Sequence, residues 1–367
     1  MTKIILNKDE FLEKLTFAFR FTSSRVTNID NIQGILLEIK KNILHLYSTN
    51  LSFYFHSFIK VETNQNQLLI IEPKNIIDFL NLLPPGKIEL EIEEKKIVIK
   101  QNERRGEFSL IEEKDFPLPP KIEEKKQTLK SEFLIKNLPL VLFSASNDTA
   151  RPVLTGVNFL VEDNHILIVS TDGFRLSLLK IKKEIDTPSF IVPASFLEEI
   201  LNFIKKENEI KFFYSASEKM IKFQINDLEF YSRLIEGDFP PFEKVIPQTA
   251  LITVEVEKNE FLRNIKLAAI FARDYSNVVV LKIKKDKIIF QPKTDSEEKE
   301  VAIQEAKIKG EEEIKVAFNY KFLLDLLNHL QGKDLIIELV RKDAPVVFKI
   351  KNNSDFLHII MPVRTQE

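Results

Sequence analysis

The sequence predicts an α+β fold made of three tandem copies of one domain, each with two helices packed on antiparallel sheet. Four sequence anchors recur in the same order, with spacings of about 122 to 128 residues. This period is far longer than the 20–50 residues of stacked solenoid repeats. Alternating apolar runs separate the helical segments, as hairpins with one buried face require. We therefore place three whole domains at residues 1–122, 128–247 and 250–367.

The first anchor is an amphipathic segment that opens with an acidic residue, Phe and Leu, at residues 10–12, 132–134 and 260–262. Apolar residues then recur at helical spacing, as at Phe11, Leu15 and Phe19, which predicts a helix. Pro139 falls inside the second copy. Because proline removes a helical hydrogen bond, we expect that helix to kink or shorten there.

The other anchors mark a strand end, a second helix and the close of a domain. Threonine ends a strand at three positions, Thr49, Thr171 and Thr294. Second amphipathic segments lie at residues 74–80, 195–201 and 321–327. Asp-Phe-Pro closes the first two copies at residues 115–117 and 238–240, and Met361-Pro362 is a weaker counterpart in the third. Alternating runs predict strands at residues 35–39, 43–47, 88–93, 97–99, 278–283 and 335–340.

Composition excludes several classes of protein. The chain has no Cys, which removes disulfides and thiol chemistry, and no apolar run approaches the length of a membrane span. Charged residues at positions 8–10 leave no room for a signal peptide, so we expect a soluble, cytoplasmic protein. A formal net charge of −2 disfavours tight sequence-specific DNA binding but allows a small basic surface.

Motifs for catalysis are missing from the sequence. It contains no phosphate-binding GxxxxGK[ST] loop, no HExxH and no GxSxG, and its five His are dispersed. Acidic runs such as residues 91–94 can bind a divalent cation, but such runs are more often solvated turns. We expect no enzyme activity, cofactor or metal, and keep a metal-dependent nucleic-acid enzyme as the alternative.

Four stretches, at residues 151–159, 171–177, 232–247 and 358–364, read RPVLTGVNF, TDGFRLS, SRLIEGDFPPFEKVIP and HIIMPVR. With the triplicated domain, they resemble the bacterial sliding clamps, the beta subunits of DNA polymerase III, over the whole chain. The resemblance implies three DNA-clamp domains per chain and a ring-shaped head-to-tail homodimer around duplex DNA. It also implies a processivity factor without a cofactor, whose partners are the replicative polymerase, the clamp loader, other polymerases and repair proteins. A clamp-like scaffold that does not close into a ring is a further alternative.

Basic residues on the first helix of each domain are candidates to face the DNA. A ring that holds DNA by topology needs only sparse, non-specific attraction to phosphates. The resemblance places Arg25 and Arg151 where the family contacts DNA, although the segment after Arg25 departs from the family pattern. The other candidates are Lys14, Arg20, Lys136, Arg263 and Lys266. The alternative is that each lies on an ordinary solvated helix face.

The resemblance also implies a hydrophobic groove between domains two and three that binds short motifs of partner proteins. The matching residues are Leu154, Thr171, Gly173, Phe174, Arg175, Leu176, Pro240, Lys244, Val245, Val346, Ile359, Met361, Pro362, Val363 and Arg364. Its apolar residues suit an adaptable pocket, and Arg175 and Arg364 at its rim can orient a carboxylate or carbonyl. The alternative is a buried domain contact.

Departures from the family pattern fall in this groove. Phe174 stands where the family usually has His, Lys244 where Arg is common and Val363 where Met is common. The chain also continues through residues 365–367 instead of stopping at Leu. We expect these changes to alter peptide preference more than to abolish binding.

The resemblance implies a dimer contact between an edge strand of domain one and domain three of a second copy. The candidates are Phe108 and Leu110, which alternate on one strand face, and the segment that begins at Tyr275. Core packing within domain one is the alternative for the first two.

Overall fold

The computed structural model describes residues 2–23, 30–63, 65–112, 115–206, 209–293, 300–310 and 313–364. The chain forms two compact units. Unit 1 comprises residues 1–131 and 202–234, and unit 2 comprises residues 132–201 and 235–367. The second predicted domain therefore contributes residues to both units.

Seven α-helices lie in the described residues: α1 Lys8–Phe19, α2 Pro73–Leu82, α3 Ser131–Asn137, α4 Pro139–Leu142, α5 Ala194–Leu201, α6 Lys258–Ala272 and α7 Tyr320–His329. All six predicted helical segments are confirmed. The expected interruption at Pro139 is also confirmed, because α3 ends at Asn137 and Pro139 opens α4 at a position where its missing N–H costs nothing. None of the described helices is long and apolar enough to cross a membrane.

Described strands follow one order in each third of the chain. The first third holds β1 Thr2–Asn7, β2 Ile35–Lys40, β3 Ile43–Thr49, β4 Phe53–Lys60, β5 Gln67–Ile71, β6 Lys87–Ile92, β7 Lys96–Gln101 and β8 Arg104–Ile111. The second holds β9 Gln127–Lys130, β10 Gly156–Val161, β11 His165–Thr171, β12 Arg175–Lys182, β13 Phe190–Pro193, β14 Glu209–Ser215, β15 Met220–Ile225 and β16 Leu228–Arg233. The third holds β17 Ile252–Glu257, β18 Val278–Lys284, β19 Lys287–Pro292, β20 Ala302–Glu305, β21 Lys307–Lys309, β22 Ile314–Asn319, β23 Asp334–Leu339, β24 Val346–Ile350 and β25 Phe356–Ile360.

Among the described residues, every third therefore reads strand, helix, four strands, helix and three strands, with the first helix divided into α3 and α4 in the second third and the short β21 added in the last. Two glycines repeat at equivalent places, Gly34 and Gly156, 122 residues apart. A Cβ on Gly34 would lie 2.5 Å from Ile70 Cγ2, and one on Gly156 would lie 2.5 Å from Ile191 Cγ2. Both positions are thus restricted to glycine by the neighbouring strand.

Unit 1 is built on a 12-stranded sheet in the order β1-β6-β7-β8-β5-β2-β3-β4-β16-β15-β14-β9. Helix α1 begins at the N-cap Asn7, whose side chain accepts from the N–H groups of Asp9 and Glu10. It buries Phe11 and Leu15 against the sheet. Burial of such side chains contributes about 1.5–3 kcal/mol each.

Unit 2 contains a nine-stranded sheet in the order β13-β10-β11-β12-β25-β24-β23-β17-β21 and a four-stranded sheet in the order β20-β19-β18-β22. All pairings are antiparallel, as the alternating runs predicted. Helix α6 packs on β18, β19 and β20 and buries Phe261 and Ile265.

Two strand pairs join consecutive domains in the same way. In unit 1, β4 of the first domain pairs with β16, the last strand of the second, and Phe55 lies opposite Phe230. In unit 2, β12 of the second domain pairs with β25, the last strand of the third, and Leu176 lies opposite Ile359. In both pairs, the third strand after the first helix of one domain meets the last strand of the next domain.

Candidate functional site

The predicted groove residues lie around the β12–β25 junction of unit 2. Leu176 on β12 and Ile359 on β25 join a buried cluster with Val169, Val347 and Phe242. Phe242 comes from a short 3-10 turn, Phe242–Val245, after the last strand of domain two. Phe239 and Ile246, which flank this turn, also pack against the cluster.

The turn from Thr171 to Arg175 carries an exposed aromatic side chain, Phe174. Thr171 Oγ1 accepts from the Gly173 N–H at 3.1 Å and donates to the Arg175 carbonyl at 2.6 Å. Gly173 has φ +93°, a conformation that side chains disfavour. The turn leaves Phe174 61% exposed, while its carbonyl accepts from the Met361 N–H at 2.8 Å. Phe174 and Met361 are thereby held side by side.

Arg175 is occupied by partners of its own. Its Nε donates to Asp172 at 3.0 Å and its Nη1 donates to Asp325 on α7 at 2.5 Å. The guanidinium carbon also lies 4.6 Å from the ring centre of Phe322 and 5.7 Å from that of Phe143. Two of its five N–H groups are therefore used by carboxylates of this chain, and the expectation that Arg175 orients a peptide carboxylate or carbonyl stays a prediction. Arg175 is 11% exposed at its side chain and braces the turn against α7.

Other predicted groove residues divide into a buried and an exposed set. The buried residues are Leu154, Thr171, Leu176, Val346 and Ile359. The exposed or half-exposed residues are Phe174, Pro240, Lys244, Val245, Met361, Pro362, Val363 and Arg364. Buried domain packing accounts for the first set but not for Phe174, Val245 and Met361. Val363 departs from the rest, because it packs against Val278, Val280 and Ala317.

A buried polar layer lies beneath the groove. His358 is fully buried on β25, and its Nδ1 lies 2.8 Å from Ser177 Oγ, which lies 2.8 Å from Ser144 Oγ. Burial lowers the pKa of His358 well below its usual value, so the imidazole is neutral. From the sequence, a lone His such as this one is a packing or surface residue. The register of β12 with β25 decides that His358 meets Ser177.

Five of the basic candidates for DNA contact are exposed: Arg20 in unit 1, and Lys136, Arg151, Arg263 and Lys266 in unit 2. Arg151 is paired with Asp148, with 3.0 Å between Nε and Oδ2. Arg25 and residues 365–367 lie outside the described residues. In the described part of the chain, no three His, Asp or Glu side chains are grouped so as to hold a metal ion.

Lys14 does not face solvent, contrary to its assignment as a DNA-facing candidate. Its side chain is only 9% exposed, and its ammonium pairs with Asp227 and donates to the Phe58 carbonyl, with Glu10 at 3.3 Å. An ammonium with its donors used in this way joins α1 to the β15–β16 turn instead of facing solvent. Helical spacing alone did not reveal this, because Asp227 lies 213 residues away.

The dimer candidates lie at incompletely paired or exposed positions. Phe108 on β8 is half-buried against Phe79 of α2, with 5.6 Å between ring centres. β8 pairs with β7 along most of its length, but with β5 only at Leu110 and Ile111. Tyr275, just after α6, is 64% exposed.

Sequence reasoning missed an apolar stripe on α6. Leu267, Ile270 and Phe271 are 41%, 51% and 53% exposed, and their three- and four-residue spacing places them on one face of the helix. The signal was present, because this helix is apolar on more than its buried face.

The repeated domains and the motifs around the groove are shared with a known protein family. Family models of the DNA polymerase III beta subunit match the chain in order: the N-terminal domain at residues 2–120, the central domain at residues 128–241 and the C-terminal domain at residues 243–364. The chain belongs to the DNA polymerase III beta subunit family.

Curated members of this family match the chain along its whole length. The Beta sliding clamp of Bacillus subtilis is 28% identical over 380 residues, covering 99% of this chain and 100% of the relative. That of Staphylococcus epidermidis is 24% identical over 380 residues, with full coverage of both chains.

Solved structures of the family share the fold. The DNA polymerase sliding clamp from Bacillus subtilis superposes with a TM-score of 0.92 at 25% identity, covering all of both chains. The beta subunit from Thermotoga maritima gives 0.91 at 23% identity, again over all of both chains. The chain therefore consists of three tandem clamp domains, as the repeats and the family resemblance together predicted.

Proposed function

We propose that this chain is a sliding clamp that closes as a head-to-tail homodimer around duplex DNA and confers processivity on the replicative polymerase. It acts in the cytoplasm, without catalytic activity or a cofactor of its own. Its three domains are residues 1–122, 128–247 and 250–367. Family membership over the whole chain supports the clamp function, and the pattern of strand pairing between domains supports the ring.

Two of the three equivalent strand pairs are made within one chain. β4 meets β16, and β12 meets β25. The remaining third strand is β20, which is the edge of its sheet among the described strands. The remaining last strand is β8, whose residues 104–109 have one partner strand. Pairing β20 of one copy with β8 of another repeats the same junction and removes both edges. Such a heterologous contact forms a ring when the rotation between copies closes, and the family resemblance implies that two copies close it.

Apolar side chains flank both of these edges. Beside β8, Leu82 at the end of α2 is 84% exposed and Phe108 is half-exposed. On β20, Ile303 is 52% exposed, and the exposed stripe of α6 lies next to this strand. Burial of these side chains between two copies would supply the apolar core of a stable interface.

The basic helix residues then serve a non-specific role. Arg20, Lys136, Arg151, Arg263 and Lys266 attract phosphates weakly, which suits a ring that slides. The groove of Phe174, Val245 and Met361 takes an apolar motif from the polymerase, clamp loader or repair proteins, with Arg175 as its brace.

Ring closure is tested by size exclusion coupled to small-angle scattering at several concentrations. We expect a mass near twice the 42.7 kDa of one chain and a distance distribution that requires a central hole. Phe108→Asp with Leu110→Asp, or Phe271→Asp, should give monomers. The control is Leu118→Asp, which charges an exposed leucine outside β8, β20 and α6. A wild-type monomer at every concentration would exclude the ring and favour the scaffold alternative.

A further inference from the structure

A second cavity lies beside the groove on the same sheet of unit 2. It encloses about 410 Å³ and is bounded by β10 and β13 on one side and residues 235–243 on the other. Its walls include the side chains of Phe190, Ile191 and Phe239. Phe242 lines this cavity and also packs into the Leu176–Ile359 cluster under the groove. The cavity and the groove are therefore neighbours on either side of one aromatic side chain.

The segment that forms the outer wall is fixed by its own geometry. Gly237 has φ +125°, and a Cβ there would lie 2.9 Å from Val153 Cγ2. The next segment of the wall, residues 239–242, is Phe-Pro-Pro-Phe, with Phe242 5% exposed. Two prolines and a buried anchor leave this wall little freedom, so the cavity exists before any ligand arrives.

The charged groups of the cavity are all acidic. Its charged lining residues are Asp238 and Glu243, both exposed and without an ion pair among the described residues. Asn158 on β10 is 8% exposed, lines the cavity, and has no side-chain hydrogen bond to another described residue. Its carbonyl oxygen and the two carboxylates are acceptors, and Phe239 offers a half-buried ring beside them. Acceptors and aromatic faces without a basic group select a cation on an apolar stem.

We propose that this cavity binds an arginine side chain of the partner peptide whose apolar motif occupies the groove. A guanidinium can stack on the Phe239 ring while it donates to Asp238, Glu243 and Asn158, whereas an ammonium offers no planar surface. Pro240 belongs both to the predicted groove and to this cavity, so a peptide can run from one to the other. The inference rests on the proposed peptide-binding function and adds that the bound peptide carries an arginine beside its apolar motif.

The test uses fluorescence anisotropy with the full-length protein and two labelled short peptides. Both peptides carry the same Leu-Phe apolar core. They differ at one flanking position, which is Arg in the first peptide and Gln in the second. Peptide pairs are made with this position at each place on either side of the core. At the favoured position, we expect the Arg peptide to bind about fivefold more tightly, with the gain falling as salt rises. The gain should disappear in Asp238→Asn with Glu243→Gln, while the Gln peptide binds this variant as it binds the wild type.

Controls separate the cavity from the groove. Asp163→Asn with Glu184→Gln makes the same charge change at two exposed sites outside the cavity lining and should keep the Arg gain. Phe174→Asp should weaken both peptides equally, and Leu251→Asp, at another exposed leucine of unit 2, should weaken neither. No Arg gain at any position, or a gain that survives Asp238→Asn with Glu243→Gln, overturns the cavity assignment alone. Failure of the wild type to bind either peptide overturns the groove function and this inference with it.

Discussion

His56 Nδ1 lies 2.8 Å from Glu229 Oε2, and the two residues face each other across the β4–β16 junction of unit 1. Because an ionised carboxylate only accepts, the imidazole N–H donates to it. Glu229 also accepts from Lys222 at 2.5 Å and from Tyr231 at 2.9 Å, and His45 Nδ1 lies 3.0 Å from His56 Nε2. One carboxylate thus organises the polar side of the junction between domains one and two.

Stability should depend on pH through this network. Burial alone would raise the pKa of Glu229, but hydrogen bonds from His56 and Lys222 outweigh it and hold the pKa at about 2. A carboxyl with a lowered folded-state pKa stabilises above its unfolded value of about 4.5, and this stability is lost as pH falls towards 2. Glu229→Gln should therefore lower the free energy of unfolding by roughly 1–3 kcal/mol at pH 7, because buried donors lose their acceptor.

Urea unfolding at pH 7 and at pH 3 measures this effect. The difference between wild type and Glu229→Gln should shrink at the lower pH, and hydrogen exchange should place the loss at the backbone amides of β4 and β16. Glu209→Gln, an exposed carboxyl of the same unit, should change stability by less than about 0.5 kcal/mol. An equal loss at both pH values would contradict the assignment.

The neighbouring His45 adds a second pH window. Burial lowers the pKa of His45 below its usual 6.5, with a further contribution from His56. The folded state therefore favours the neutral ring, so its contribution is complete above pH 6.5 and declines as pH falls below it. Glu38 and Lys40 on β2 act on the same ring with opposite signs. His45→Gln should flatten the pH dependence of stability between pH 7 and 5, and an unchanged slope would refute the prediction.

Arg175→Lys should weaken the groove through its support. A lysine cannot hold Asp172 and Asp325 together with a planar stack on Phe322, so we expect a loss of roughly 1–3 kcal/mol in unfolding free energy. Peptide affinity should fall as the turn that carries Phe174 loosens. Calorimetry and anisotropy measure the two effects. Arg341→Lys, at an arginine whose side chain is 70% exposed, is the matched control. Full stability in Arg175→Lys would show that the brace is dispensable.

Lys14 and the exposed pair Arg263 and Lys266 should separate stability from DNA attraction. Lys14→Met removes a buried partner of Asp227, so it should reduce the unfolding free energy by roughly 1–3 kcal/mol and leave duplex affinity unchanged. Arg263→Gln with Lys266→Gln should retain stability but reduce the salt dependence of duplex binding by about two phosphate contacts. Titrations of a short duplex at several salt concentrations measure this. Weaker DNA binding in Lys14→Met at unchanged stability would return Lys14 to the DNA-facing set.

Gly156→Ala should destabilise unit 2 although its backbone angles suit alanine. The new Cβ would lie 2.5 Å from Ile191 Cγ2 and 3.0 Å from the Val192 carbonyl oxygen. Overpacking of this kind costs typically about 1–3 kcal/mol. Thermal unfolding measures it, with the exposed turn substitution Asp163→Ala as a control expected to change little. Gly34→Ala should reproduce the effect in unit 1, and a neutral result at both sites would show that the strands can separate without cost.

Local sequence periodicity was sufficient to predict the helices and strands of the fold. The helices around Phe11, Phe261 and Leu326 and the alternating strands were predictable because their periodicity depends only on which face is buried. The break at Pro139 followed from one missing N–H. The groove segments could be named from their resemblance to the family, with Phe174 and Met361 as exposed members.

The sequence by itself determined the triplicated α+β domain, its helices and the short motifs that mark the family, since these are written in local composition and spacing. Only the tertiary structure decided the roles of individual charged groups. Lys14 is buried in an ion pair with Asp227, which lies far along the chain. Arg175 forms an ion pair with Asp325, which α7 brings next to it. The position of β20 at the edge of its sheet likewise appears only in the strand order of the folded chain. A charge or an edge acquires its role from its partner, and distant partners are set by packing, which local sequence does not encode.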